Sequence, residues 1–534
     1  MIIYDMSKIL WFVFINITLN AVCRQYGSGV LHRDIRTTQG LVRGYLMQNN
    51  FYAYLGIPYA QTSVHNRFKA PKPPRRWDSI FEATHHIKCP QGEGSGDENC
   101  LVLNVFTSVE GTSLPVLVYV HGGDFQSGWG PTIPIKLLIQ KNIIIVTFNY
   151  RLGALGFLCL KIPEVPGNAG LKDQVAALYW IHRNILNFGG NPLDVTVYGV
   201  ESGAVSIQLL LLSRLAEGLF QKVILETGSI LSPKSITYNP VMLAFNAAKR
   251  LGYDGDANGQ QLAMFFSKLT VKQLLNTTEN FLPCIEAESY YSHSLVDSDP
   301  IESLEKGNFE TLPMIIIYAD KPFDESSILD TLAENFESLL PSNLEFPESE
   351  IKMKIAVLVK GFYFDESEDY KIRFANYMND VLIHYPTVKI ATMFAARSTQ
   401  PVFVMRSIYG AFTDACLKKG ECDNTVGRLL YTDMDEDVLI QEMIVTLLGN
   451  FINIGDPTPL ITTSTPVIWQ PISIPSEGRL AMNFIPQLVF DGRMKLDNAA
   501  TQQILFWNYI YDKYYRVNTS CHNETIKDYE EMKK

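Results

Sequence analysis

The hydrophobic pattern of the chain divides into short continuous apolar runs and longer segments with helical spacing. Residues 114–120, 143–148 and 313–318 are nearly unbroken runs rich in Val, Ile and Leu. Such runs are typical of strands that are buried on both faces, as in a parallel sheet. Residues 171–188 and 202–212 instead carry apolar side chains at helical spacing. The alternation predicts an α/β protein with a large, mostly parallel central sheet flanked by helices.

Further strands complete this pattern and bear on the number of domains. They are predicted at residues 40–44, 51–56, 101–106, 195–198, 222–225 and 401–405. No repeat or low-complexity linker separates these elements, so one domain is predicted over residues 24–517, followed by a charged tail at 518–534. The formal net charge of -11 and a pI of about 5.4 argue against nucleic acid as a partner.

The first 23 residues have the organisation of a secretory signal peptide. Lys8 precedes the apolar run at residues 9–15, and small residues at 21–23 come just before Arg24. The run is too short to span a bilayer, and no later run of about 20 apolar residues predicts a membrane anchor. The sequence therefore predicts a secreted protein without a membrane span.

Secretion makes disulfide bonds an expected feature of the eight cysteines. Cys89 with Cys100, and Cys416 with Cys422, each enclose a short polar loop and are candidate pairs. Cys159 lies in an apolar stretch and is predicted to be a buried free thiol. The remaining cysteines, Cys23, Cys284 and Cys521, stay unassigned, because connectivity cannot be deduced from spacing.

Three sequons beyond the signal segment are predicted glycosylation sites, at Asn276, Asn518 and Asn523.

Several ordered motifs resemble the carboxylesterase type B family, which includes the cholinesterases. They extend over roughly residues 29–515 and lie at residues 56–60, 67–71, 98–105, 121–125, 149–153, 167–174, 188–192 and 450–459. The resemblance implies the α/β-hydrolase fold. It also implies a serine nucleophile in a Gly-x-Ser-x-Gly turn, with glutamate and histidine completing a catalytic triad.

The nucleophile turn departs from that pattern. The family motif needs glycines two positions before and two after the nucleophile, because the turn is strained and tightly packed. Here Gly199 and Gly203 flank Glu201, whereas Val200, a poor fit, would precede Ser202 by two. Glu201 is therefore placed at the nucleophile position. Ser202 is then the residue whose backbone N–H serves the oxyanion hole, and it remains the alternative nucleophile.

The histidine of the triad also has no counterpart. The family sets it in a Gly-x-x-His loop, and the matching residues 420–425 place Asp423 there. After His293 the chain has only His384, predicted to be structural, and His522, in the charged tail. A serine without a base is a weak nucleophile.

The acid of the triad and the oxyanion loop also differ from the family pattern. A gapless match puts Pro322 at the acid position, whereas an insertion would bring Asp324 or Glu325 there. The oxyanion loop is expected at Gly122, Gly123 and Asp124. Asp124 stands where family members usually have a third glycine, so it and Glu201 are expected to bring two carboxylates together. Their charge would oppose an oxyanion.

Scaffold positions, by contrast, agree with the family. Arg43, Glu98, Arg151 and Asp173 resemble its buried ion-pair residues. The sequence therefore predicts a secreted, esterase-like pseudoenzyme that binds an extracellular protein or a small lipophilic ligand. In lacking the triad it resembles the neuroligin- and glutactin-type members of the family. No metal or cofactor is predicted, and the oligomeric state stays open. The alternative is an active carboxylic ester hydrolase with an atypical nucleophile such as Glu201.

Overall fold

The computed structural model describes most of the predicted domain. It describes residues 31–48, 50–63, 66–92, 96–109, 111–130, 135–286, 294–321, 335–364, 370–408, 438–473 and 484–516. Within these ranges no helix combines the length and apolar character that crossing a bilayer requires. The predicted signal segment and charged tail lie outside them, as do four cysteines: Cys23, Cys416, Cys422 and Cys521.

The elements alternate along the chain as the hydrophobic pattern predicts. The strands are β1 His32–Arg36, β2 Leu41–Leu46, β3 Phe51–Pro58, β4 Phe81–Glu82, β5 Val102–Ser108, β6 Leu114–Val120, β7 Ile144–Phe148, β8 Gly190–Val200, β9 Lys222–Glu226, β10 Met314–Ala319, β11 Val402–Ser407, β12 Pro486–Phe490 and β13 Met494–Asn498. The α-helices are α1 Ile135–Ile139, α2 Gly153–Phe157, α3 Ala169–Asn184, α4 Ser202–Leu211, α5 Pro240–Arg250, α6 Gly259–Lys268, α7 Val271–Leu275, α8 Pro300–Lys306, α9 Ser349–Tyr363, α10 Tyr370–Asn379, α11 Tyr385–Arg397, α12 Val438–Ile454 and α13 Gln502–Tyr514. A π-helical segment, Asp380–His384, joins α10 to α11.

The described strands form one sheet of 13 strands. Their order is β1-β2-β3-β5-β7-β6-β8-β9-β10-β11-β12-β13, and β4 pairs with β2. The neighbouring strands from β7 to β12 are parallel to one another. The neighbouring strands toward both edges are antiparallel, apart from the short strand β4, which is parallel to β2. The predicted large, mostly parallel sheet is confirmed.

Buried side chains on alternate positions of the central strands form a core on each face of the sheet. In β10, Met314, Ile316 and Tyr318 belong to one core, and Ile315 and Ile317 belong to the other. The first core is covered by helices α3, α4 and α11, and the second by α1 and α12. Burial on both faces explains why these strands are continuous apolar runs and not alternating ones.

Two disulfide bonds lie within the described residues. The predicted Cys89–Cys100 bond is confirmed. The prediction of a free thiol at Cys159 is wrong, because Cys159 is bonded to Cys284, 125 residues further along the chain. The segment at Cys284 is held there by Asn168, whose side chain accepts from the Cys284 N–H and donates to its carbonyl. An apolar surrounding buries a thiol and a disulfide equally well, so local sequence cannot distinguish them.

The predicted scaffold ion pairs differ in burial. Arg151 and Asp173 form a buried pair with 3% and 0% side-chain exposure. The expectation of a buried pair at Arg43 is wrong. Strand alternation turns Arg43 away from its buried neighbour Val42, and its side chain is 23% exposed. Glu98 is also partly exposed and is bound through both carboxylate oxygens by a buried partner, Arg67.

Arg151→Met tests the contribution of the buried pair. We expect the free energy of unfolding to fall by about 3–5 kcal/mol, because Asp173 would be left charged and buried without a partner. Urea denaturation followed by tryptophan fluorescence measures this change. The matched control is Lys306→Ala, which removes an exposed pair with Glu302 and should change stability by less than about 0.5 kcal/mol. Equal effects of the two substitutions on unfolding free energy would contradict a stabilising role for the buried Arg151–Asp173 pair.

Candidate functional site

Glu201 forms the sharp turn between strand β8 and helix α4. Its backbone has φ 52° and ψ −115°, a conformation that few residues other than glycine adopt. Such strain costs about 1–3 kcal/mol and is concentrated at functional sites. Val200 ends the strand and Ser202 begins the helix. The structure therefore has a strand–turn–helix arrangement with Glu201, and not Ser202, at its apex.

The glycines on either side of Glu201 are required by close packing. A Cβ on Gly203 would lie 2.2 Å from the carbonyl oxygen of Val120 in the neighbouring strand β6. A Cβ on Gly199 would lie 2.5 Å from the backbone of Gly203. Both distances are far shorter than a van der Waals contact. The two glycines thus let the start of α4 approach the carboxyl ends of β6 and β8.

The carboxylate of Glu201 is bound by two groups that belong to different loops. Its Oε1 forms an ion pair with the ammonium group of Lys321. Its Oε2 accepts a hydrogen bond of 3.2 Å from the backbone N–H of Gly123, and a Cβ on Gly122 would lie 2.9 Å from the same oxygen. The Glu201 side chain is 25% exposed and that of Lys321 is 29% exposed. The carboxylate therefore contacts the loop that the resemblance predicts to be the oxyanion loop, in a partly exposed position.

Lys321 is a site residue that the sequence analysis missed. It follows the end of β10 at Ala319, just as Glu201 follows the end of β8. The carboxyl ends of parallel strands lie at one edge of a sheet, where α/β proteins place their sites. A charged residue directly after a buried strand was the available signal. The family resemblance instead indicated carboxylates a few positions later in the sequence, at Asp324 and Glu325.

Asp124 directly follows Gly123, the residue whose backbone N–H contacts Glu201. Its side chain is exposed, and its backbone is left-handed with φ 53°. The partner of the Glu201 carboxylate is a cation, Lys321, and not a second acid. That Asp124 brings a second carboxylate to the same place stays a prediction, and the contact that the structure gives the Glu201 carboxylate is with Lys321. A charged carboxylate in a partly buried position requires a compensating charge, and Lys321 supplies it.

Ser202 is buried at the start of α4, with 4% exposure. Among the described residues, its hydroxyl oxygen forms no hydrogen bond with a histidine nitrogen. His121, in the oxyanion loop, is stacked on Tyr150 at 4.3 Å between ring centroids, and its Nδ1 lies 2.9 Å from the Gly122 carbonyl oxygen. Burial lowers the pKa of His121 to about 4. Its neutral imidazole is a poor base.

His384 is also unsuited to act as the base for a nucleophile. It lies at the end of the π-helical segment and is 9% exposed. Its Nδ1 is 2.7 Å from Asp380 Oδ1, and its Nε2 is 2.5 Å from Asp320 Oδ1. Both ring nitrogens are therefore engaged by carboxylates, and neither is available to accept a proton from a hydroxyl group.

Other predicted site residues lie beyond the part of the chain that the structure describes. They are Asp423 at the histidine position and Pro322, Asp324 and Glu325 at the acid position. Of the three sequons, Asn276 is exposed directly after α7, and Asn518 and Asn523 fall outside the described ranges. In the described chain, no group of three or more His, Cys, Asp or Glu residues is placed to hold a metal ion.

Comparison with known sequences decides the family. The pattern of the family described as "Carboxylesterase family" matches residues 32–507. The chain belongs to the carboxylesterase family. Among its relatives, juvenile hormone esterase of Heliothis virescens is 28% identical over 498 residues, covering 82% of this chain and 86% of the relative. Esterase FE4 of Myzus persicae is 31% identical over 482 residues, covering 79% and 83%.

A solved structure shares the architecture of this carboxylesterase-family chain. Juvenile hormone esterase from Manduca sexta superposes with a TM-score of 0.77, covering 90% of this chain and 100% of that chain at 23% identity. At this identity the likeness shows the fold alone, which is the α/β-hydrolase fold that the resemblance implied.

Gly203→Ala tests the packing that places Glu201. We expect unfolding free energy to fall by about 3 kcal/mol, since the new methyl group would meet the Val120 carbonyl oxygen. Thermal or urea denaturation measures the loss. Gly361→Ala is the control, because Gly361 lies in helix α9 with open space around it. That substitution should stabilise the protein by about 0.5–1 kcal/mol. If Gly203→Ala were equally harmless, the close approach of α4 to β6 would be wrong.

Proposed function

We propose that this chain is a secreted, non-catalytic member of the carboxylesterase family that acts by binding and not by hydrolysis. The observation that carries the proposal is the set of contacts that the Glu201 carboxylate makes within the protein. The turn that presents a nucleophile holds a carboxylate, and that carboxylate is paired with Lys321 and with the Gly123 N–H. The function that this geometry supports best is recognition of a ligand without turnover.

The arrangement opposes acyl transfer for an electrostatic reason. Catalysis on this fold depends on donors that are free to meet the negative charge that develops on the substrate oxygen. Here the Gly123 N–H already donates to Glu201. A substrate oxyanion would have to displace a carboxylate from that donor and would be repelled by its charge. Attack by Ser202 would meet the same obstacle, and within the described chain its hydroxyl group forms no hydrogen bond with an imidazole.

Secretion and binding of an extracellular partner form the second part of the proposal. The Cys89–Cys100 and Cys159–Cys284 bonds support it, because disulfide bonds persist in oxidising compartments. The exposed sequon at Asn276 fits a glycosylated surface. The proposed partner is an extracellular protein surface or a small lipophilic ligand.

Ester hydrolysis by the purified, full-length protein tests the proposal. With p-nitrophenyl butyrate we expect no rate above the reaction without protein, whereas an active esterase assayed in parallel gives a strong signal. Turnover that disappears in Ser202→Ala would overturn the proposal in favour of a serine hydrolase. Turnover with a covalent adduct on Glu201, detected by mass spectrometry, would instead support the alternative of a carboxylate nucleophile.

Restoration of the family's nucleophile and base provides a further prediction. Glu201→Ser alone should remain inactive, because it supplies a hydroxyl group but no base. Glu201→Ser combined with Asp423→His should exceed the single variant, since the resemblance places residue 423 at the histidine position. Initial rates of aryl ester hydrolysis measure both. Activity in the single variant of more than about 10³–10⁴-fold over water, the level left when a triad is incomplete, would show that a base exists elsewhere.

A further inference from the structure

A buried charge cluster lies next to the Glu201–Lys321 pair, where strands β10 and β11 end. Asp320 immediately precedes Lys321 in the chain. It faces His384 Nε2 at 2.5 Å and the guanidinium of Arg406 at 3.3 Å. On the other side of the ring, His384 Nδ1 faces Asp380 at 2.7 Å. The ring thus connects the end of β10 to the π-helical segment.

The two carboxylates fix the protonation state of the imidazole between them. An ionised carboxylate only accepts hydrogen bonds, and a neutral imidazole has a single N–H. Both contacts of His384 can therefore be hydrogen bonds only when both ring nitrogens carry protons. With His384 charged, the cluster balances two carboxylates, Asp320 and Asp380, against two cations, His384 and Arg406.

The groups around the imidazole ring of His384 favour its protonated form. Burial acts to lower the pKa of His384, but the hydrogen bonds and charges of Asp320 and Asp380 outweigh it and raise that pKa above its ordinary value. Burial likewise acts to raise the pKa of Asp320, but His384 and Arg406 hold it below its ordinary value. From helix α9, Tyr363 donates a 2.7 Å hydrogen bond to Asp380 Oδ2, and the ring of Tyr318 in β10 lies 5.3 Å from the imidazole.

The same two segments also hold the backbone of Lys321. Asn379, the neighbour of Asp380, accepts a 2.8 Å hydrogen bond from the Lys321 N–H and donates one of 3.0 Å to its carbonyl. Two consecutive residues after β10 are therefore bound to the two ends of the π-helical region, Asp320 to His384 and Lys321 to Asn379. This double attachment fixes the point from which the Lys321 side chain reaches Glu201.

We propose that protonated His384 is a positioning residue that clamps the 320–321 segment so that Lys321 stays on Glu201. When His384 loses its proton, one of its two carboxylates loses its hydrogen bond and the cluster keeps an uncompensated negative charge. The segment then loosens, the Glu201–Lys321 pair opens, and the Gly123 N–H is released. The inference rests on the proposed function, because it takes the paired Glu201 as the resting state of the site.

The sign of the pH dependence follows from the raised pKa of His384. The clamp is complete below the ordinary histidine value near 6.5 and is lost as the pH rises through the raised pKa of the folded protein. The site is therefore closed at acidic pH and opens as the pH rises through that raised pKa.

Labelling of lysine amines with a pulse of acetic anhydride, read by mass spectrometry of the full-length protein, tests the clamp. The labelling of Lys321 is divided by that of Lys306, an exposed lysine of α8, so that the ordinary titration of amines cancels. For the wild-type protein we expect this ratio to be low at pH 6 and to rise about tenfold at alkaline pH, equivalent to about 1.4 kcal/mol.

Two substitutions in the charge cluster are expected to change the labelling ratio in opposite directions. His384→Gln removes the clamp, so the ratio should be high and independent of pH. Asp380→Asn places an amide donor beside Nδ1, so a neutral imidazole satisfies both neighbours and the ratio should stay low at all pH values. The matched control is His182→Gln, an exposed position on α3 that should keep the wild-type step.

Each outcome decides the inference. A wild-type ratio that does not change with pH overturns it, as does an unchanged pH step in His384→Gln or Asp380→Asn. Should His384→Gln fail to fold, the wild-type protein and Asp380→Asn still decide it. The labelling ratio does not depend on catalysis. Ester turnover with an intact labelling step would therefore reject the proposed function alone, whereas absence of turnover with a flat ratio would reject the clamp alone.

Discussion

The close approach of helix α4 to strands β6 and β8 is the constraint on which the site depends. Glycines at 199 and 203 allow it, and no side chain larger than hydrogen fits at either position. The chain can turn between strand and helix only by placing residue 201 in a left-handed conformation. That conformation sends its side chain to the oxyanion loop at Gly123. Whatever residue stands at 201 must therefore face the donors of that loop.

The turn is a favourable place for negative charge, and this explains why a carboxylate is stable there. It lies at the N-terminus of a helix of 10 residues, whose dipole favours an anion. The Gly123 N–H and the Lys321 ammonium complete its surroundings. In a hydrolase such donors stabilise charge that appears on the substrate during the reaction. In this chain the side chain of Glu201 occupies these donors in the folded protein, so the same surroundings stabilise its own carboxylate.

Sequence patterns identified the features that depend on local geometry. Continuous apolar runs located the central strands, and the spacing of Gly199 and Gly203 located Glu201 at the turn without any knowledge of its partners. The features that escaped depend on contacts between distant segments. Lys321 lies 120 residues from Glu201, and the two meet because β8 and β10 are separated by a single strand. The partner of Cys159 was hidden for the same reason, since 125 residues separate it from Cys284.

The Arg151–Asp173 and Glu201–Lys321 ion pairs differ in how much they contribute to the stability of the fold. Arg151 and Asp173 are almost fully buried, so breaking that pair costs several times the ~1 kcal/mol that an exposed pair is worth. Glu201 and Lys321 are each about a quarter exposed, and their pair contributes correspondingly little to folding. The fold therefore rests on the buried pair, the disulfide bonds and the two-sided core. The side chain at the turn can differ without loss of the fold, because a change there neither creates nor removes the interactions that hold the sheet and helices together.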